Sequence, residues 1–123
     1  MRRAMASLAV LLCALTLTAG CGSDSDSEGG SGGSTEPKVI EVTISGDSVT
    51  PNGERVEVAT GQDIELKVTA DEAGEIHVHS SPEQELEYQA GETTVTIQGI
   101  DQPSLVDVES HSLEKVIVQL EVS

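Results

Sequence analysis

Three histidines are the residues of this 123-residue chain best suited to chemistry: His77, His79 and His111. His77 and His79 stand two apart in Glu75-Ile76-His77-Val78-His79-Ser80. Apolar and polar residues alternate there, as in a strand. On a strand, residues two apart share a face, with Cα atoms about 6.5–7 Å apart. Ile76 and Val78 then take the other face, and Glu75 joins the histidines. His111 ends a second alternating run, Val106-Asp107-Val108-Glu109-Ser110-His111, on the side of Asp107 and Glu109. Imidazole is the commonest protein ligand for transition metals, and adjacent carboxylates raise cation affinity. His77, His79 and His111 are therefore candidate metal ligands, with Glu75 and Glu109 as supporting oxygen donors. The same residues are equally at home as solvated polar groups on wet strand faces. Without a metal, imidazoles crowded among carboxylates would form a proton-sensitive cluster near neutral pH.

The cysteines lead elsewhere. Only Cys13 and Cys21 exist. Arg2 and Arg3 open the chain, and residues 4–19 are apolar or small, too short a run for a membrane span and placed like a signal-peptide core. The run ends Leu17-Thr18-Ala19-Gly20-Cys21, which resembles the lipobox of bacterial lipoproteins. That resemblance implies a diacylglycerol thioether on Cys21, further acylation with chains such as palmitate, and removal of residues 1–20. Thr18 stands where Leu is commoner. The expected location is the extracytoplasmic face of the bacterial cell membrane, anchored by lipid. Two or more acyl chains give stable anchoring. Cys13 would leave with the leader.

Residues 21–37 comprise the lipidated cysteine and a tether, GSDSDSEGGSGGSTEP, which has no apolar residue. Such a stretch buries nothing and spans roughly 20–24 Å as a coil. Its acidic start mimics a calcium loop, but position twelve is Thr35 and flanking helices are absent.

Residues 38–123 form the domain that must position the histidines. They contain 13 Val, 7 Ile and 5 Leu but only four Ala. β-Branched residues suit a pleated sheet better than a helix. Apolar residues alternate through Ile40–Ile44, Val56–Val58, Ile64–Val68, Ile76–Val78, Leu86–Tyr88, Val95–Ile97, Val106–Val108 and Val116–Val122, with turn residues between the runs. This predicts an all-β Greek-key sandwich of seven or eight strands, antiparallel by default.

The order Gly61 to Asp71, Glu75 to His79, Ala90-Gly91-Glu92, Pro103 to His111 and a Val-rich last strand resembles the cupredoxin-like domains of secreted and lipid-anchored bacterial proteins, including an actinobacterial type that keeps histidines and lacks the thiolate. The resemblance implies a metal at one end of the sandwich, held by a His from a central strand and by Cys, His and Met around the loop before the last strand. His77 matches the first position and Ser110 stands at the Cys position, followed at once by His111. No Cys and no Met follows Cys21. Type-1 copper chemistry needs a thiolate and usually a weak axial sulfur, so the composition excludes it. A His-rich Cu(II) or Zn(II) site remains.

Other classes fall away. A net charge of −16, with one Tyr and no Phe or Trp, excludes nucleic-acid binding. Two cysteines eight apart cannot staple a disulfide scaffold. Ser110-His111-Ser112 is no triad, since adjacent strand residues face opposite ways. Glu83, Glu85 and Glu87 read as a solvated edge that deters sheet-to-sheet pairing. The expectation is a membrane-tethered, non-catalytic accessory or interaction module, its protein partner unspecified; the other reading is a Cu(II)/Zn(II)-binding lipoprotein that scavenges or buffers metal.

Overall fold

The computed structural model describes residues 36–123; the leader, Cys21 and most of the tether lie outside the described residues. Within them, the alternating runs become nine strands: β1 (Lys38–Ser45), β2 (Ser48–Thr50), β3 (Glu54–Val58), β4 (Ile64–Ala70), β5 (Gly74–Val78), β6 (Gln84–Tyr88), β7 (Gly91–Ile97), β8 (Ser104–Ser110) and β9 (Lys115–Val122). No helix occurs among the described residues. The strand beyond the expected eight is β2. It is three residues long with a single apolar side chain, so it has no period to read. Gly46, at φ +56°, turns the chain back, and its N–H donates to Asp71 Oδ2 at 2.8 Å. Val49 then pairs with Ile44 and is buried.

The strands form two sheets, β2-β1-β4-β7 and β3-β9-β8-β5-β6. Antiparallel pairing is not universal. β1 runs parallel to β4, from Lys38 opposite Ile64 to Ile44 opposite Ala70, and β3 runs parallel to β9. Parallel neighbours need a crossover connection rather than a hairpin. The excursion of the chain through β2 and β3 supplies one between β1 and β4. This is a long-range feature that local alternation does not encode.

Inward residues of both sheets are aliphatic. Ile64, Leu66 and Ile97 from one sheet and Ile76, Ile117 and Leu120 from the other are wholly buried. Each such side chain contributes about 1.5–3 kcal/mol of transfer free energy. The one aromatic residue, Tyr88, is buried at the edge, opposite Gly74. A Cβ at position 74 would collide with the Tyr88 hydroxyl, so glycine is what lets β5 begin under that ring.

Strand β5 lies between β8 and β6. Ile76 and Val78 are fully buried, so Glu75 and His77 face away from the core. On the other side of β5, the β8–β9 register runs Val108 opposite Val118, then jumps to Glu109 opposite Val116. Ile117 is thus supernumerary, and both Ile117 and Val118 are buried. A bulge of this kind bends its strand and re-aims neighbouring side chains. It lies across from Glu109 on β8, two residues before His111.

Candidate metal centre

Glu75 and His77 project from the outer side of the five-stranded sheet, and His77 Nε2 is hydrogen-bonded to Glu75 Oε1. His111 lies in the turn directly after β8. Its backbone N–H donates to Glu75 O at 3.0 Å, which ties the turn to β5. The His111 ring stacks on that of His77, with centroids 4.4 Å apart and planes 22° from parallel. Ligand atoms of Glu75, His77 and His111 all fall within 4.8 Å of one another.

His79 takes a different place. Its backbone N–H donates to Asp107 O at 2.9 Å, just beyond the end of β5. Its ring lies edge-on to His77 at 6.5 Å, and His79 Nε2 is 2.8 Å from Glu109 Oε2. Of the five residues singled out from the sequence, the structure therefore gathers Glu75, His77 and His111 into one group. It sets His79 and Glu109 beside them as a pair.

Two further carboxylates reach the cluster from β6 and the turn before it. Glu83 Oε1 is 3.7 Å from His77 Nδ1, and Glu85 Oε1 is 4.0 Å from His77 Nε2. Glu83 Oε2 is also 3.9 Å from His79 Nδ1. His77, Glu83 and Glu85 form a second group within 4.8 Å. The sequence reading treats both as solvent-facing edge charges. The available signal is hairpin register: the Ser81-Pro82 turn sets Gln84 opposite Val78 and hence Glu85 opposite His77.

The electrostatics follow from this crowding. His77 is half-buried, its side chain 18% exposed. Its hydrogen bond to Glu75 raises its pKa above 6.5. Desolvation opposes this, and the charges of Glu75, Glu85 and Glu83 reinforce it. Glu75 and Glu87 stand directly opposite on β5 and β6, a like-charge pairing that disfavours the sheet. None of β5, β6 and β8 contains Lys or Arg. An open depression of about 550 Å³ borders Glu75 and His111, with Gly74, Glu87, Tyr88 and Ser112 along its sides, so solvent reaches the ligand atoms.

The arrangement does not fit a type-1 copper ion. Ser110, at the position where the resemblance places a cysteine, points into the core and is wholly buried. Its Oγ has no hydrogen-bond partner among the described residues. Its neighbour across β5 is Ile76, not His77. The resemblance joins His77 and Ser110 in one ligand set, whereas the sheet separates them onto opposite faces. The histidines lie on an outer face, and Ser110 faces inward beside Ile76.

No known protein family matches the chain, and no curated protein is similar to it. Solved structures are similar in fold. A multi-copper oxidase from Pediococcus acidilactici superposes with a TM-score of 0.51 at 14% identity, covering 73% of this chain and 27% of that one. A laccase from Pediococcus acidilactici gives 0.50 at 14% identity, covering 76% and 28%. Reduced auracyanin from the photosynthetic bacterium Roseiflexus castenholzii gives 0.48 at 10% identity, covering 73% and 99%. The chain thus spans little more than a quarter of the oxidase and laccase chains. At this identity the likeness to the oxidase and the laccase concerns the fold alone: the described domain is an all-β, cupredoxin-like sandwich.

Proposed function

We propose that the chain is a membrane-tethered, extracytoplasmic cupredoxin-like module that binds a divalent transition-metal ion and catalyses no reaction. The observation that carries this reading is the convergence of Glu75, His77 and His111, whose ligand atoms lie within 4.8 Å on one solvent-reached patch. Two imidazoles and a carboxylate form a donor set for Cu(II) or Zn(II), and the usual affinity order favours Cu(II). The lipobox-like Thr18-Ala19-Gly20-Cys21 supports the anchor. A metal held outside the cell in this way is scavenged or buffered, or presented to a protein partner.

A metal-free accessory role is the second reading. It is favoured by the pairs His77–Glu75 and His79–Glu109, which satisfy one another without an ion. Metal analysis of untagged protein separates the two. The expected result is bound Cu(II) whose EPR spectrum shows nitrogen ligation, lost in His77→Ala and in His111→Ala. Binding no tighter than millimolar at neutral pH would leave only the accessory role. A histidine tag would supply ligands of its own and has no place in the test.

A further inference from the structure

We propose that the outer face of the five-stranded sheet holds two divalent cations, Cu(II) or Zn(II), bridged by the imidazole of His77. The inference rests on the metal-binding reading for the first cation and adds the second. Two ligand groups share this one residue: Glu75 with His77 and His111, and His77 with Glu83 and Glu85. An imidazole has one donor direction at each nitrogen, so a single cation engages only one of them. His77 Nε2 meets Glu75, while Nδ1 faces Glu83 Oε1 at 3.7 Å. The second nitrogen is thus aimed at a carboxylate the first site does not use. His79 Nδ1, 3.9 Å from Glu83 Oε2, brings another imidazole to that side. Glu85, opposite His77 in the β5–β6 register, shares the second group, and its Oε1 stands 4.0 Å from His77 Nε2.

The charge distribution calls for the same occupancy. Glu75, Glu83, Glu85 and Glu109 stand against the imidazoles of His77 and His79, and the three strands that carry the cluster contain no Lys or Arg. Glu75 faces Glu87 across the hairpin, and one cation at Nε2 beside Glu75 leaves Glu83, on the Nδ1 side, uncompensated. The proton balance is simple. Neutral His77 keeps one ring proton when the first cation takes its lone pair. The second cation displaces that proton to water, and an imidazolate remains between the two ions.

Titration of the untagged full-length chain with Cu(II), read by metal analysis and EPR, tests this. Two equivalents are expected. The integrated EPR signal should grow up to the first equivalent and fall as the second binds, because two Cu(II) ions across an imidazolate couple antiferromagnetically. The double variant Glu83→Gln, Glu85→Gln should bind one equivalent with an uncoupled signal. Saturation of the unaltered chain at one equivalent overturns the bridge while leaving the metal-binding reading in place. So does a second equivalent that adds a full, uncoupled signal. Failure to bind even the first equivalent overturns both.

Discussion

His77 is held by carboxylates from more than one element: Glu75 on its own strand, Glu83 and Glu85 from the β6 side, with Glu109 opposite it on β8 and the His111 ring stacked upon it. The hydrogen bond to Glu75 and the charges of Glu75, Glu85 and Glu83 favour the imidazolium, and the folded pKa stands above 6.5. The sign of the linkage follows. A group whose pKa is raised by folding contributes stability below its unfolded pKa, and that contribution is lost as pH rises through the folded value. The metal-free protein should therefore lose stability as pH climbs from about 6.5 upward. Denaturant unfolding in the presence of a chelator, compared with His77→Asn, checks this: the variant should flatten that part of the profile. A wild-type profile that rises over the same range would contradict the assignment. Metal binding runs the other way. It requires deprotonated imidazole, so Cu(II) affinity should increase where the metal-free fold weakens.

At the scale of elements, the pairing of β5 with β8 decides which side chains can act together. Ile76 opposite Ser110 and His77 opposite Glu109 are successive pairs on opposite faces. Ser110 is therefore a core residue whose hydroxyl lacks a partner among the described residues, and such a group costs about 1–3 kcal/mol in lost hydration. Ser110→Ala should leave stability unchanged or raise it by about 1 kcal/mol, measured by denaturant midpoint at constant slope, with Cu(II) binding intact. A loss of both would mean that the hydroxyl serves the site. The alternation that makes β5 a strand was legible in Glu75 to His79, and so was the shared side of Glu75 and His77. The approach of His111 was legible only as far as its face. Its stacking on His77 comes with the turn after β8, whose backbone hydrogen bond from His111 to Glu75 no local period announces. Glu83 and Glu85 resemble any acidic edge until hairpin register sets one of them against an imidazole. The parallel β1–β4 and β3–β9 pairs escaped for a related reason: they join segments that local pattern reading treats separately.

At the scale of the whole molecule, the proposed anchor and the histidine face belong to separate parts of the chain, and their separation is itself testable. Residues 22–37 contain no large apolar side chain that could dock on the sandwich, and they carry four acids. Loss of residues 1–20 removes Arg2 and Arg3, leaving four basic residues against 22 acids, a net charge of −18. An acidic segment and an acidic domain are both repelled by anionic lipid, so electrostatics offer no second hold on the membrane. On the proposed lipoprotein reading, attachment then depends on the acyl chains alone, and more than one chain is needed for it to last. Cys21→Ala should abolish fatty-acid labelling and move the protein from the detergent phase to the aqueous phase on phase separation. Its Cu(II) stoichiometry should match that of the unaltered chain, because the ligands begin at Glu75. Labelling that persists in Cys21→Ala would place the lipid elsewhere. Loss of Cu(II) binding in that variant would show that the amino-terminal segment takes part in the site.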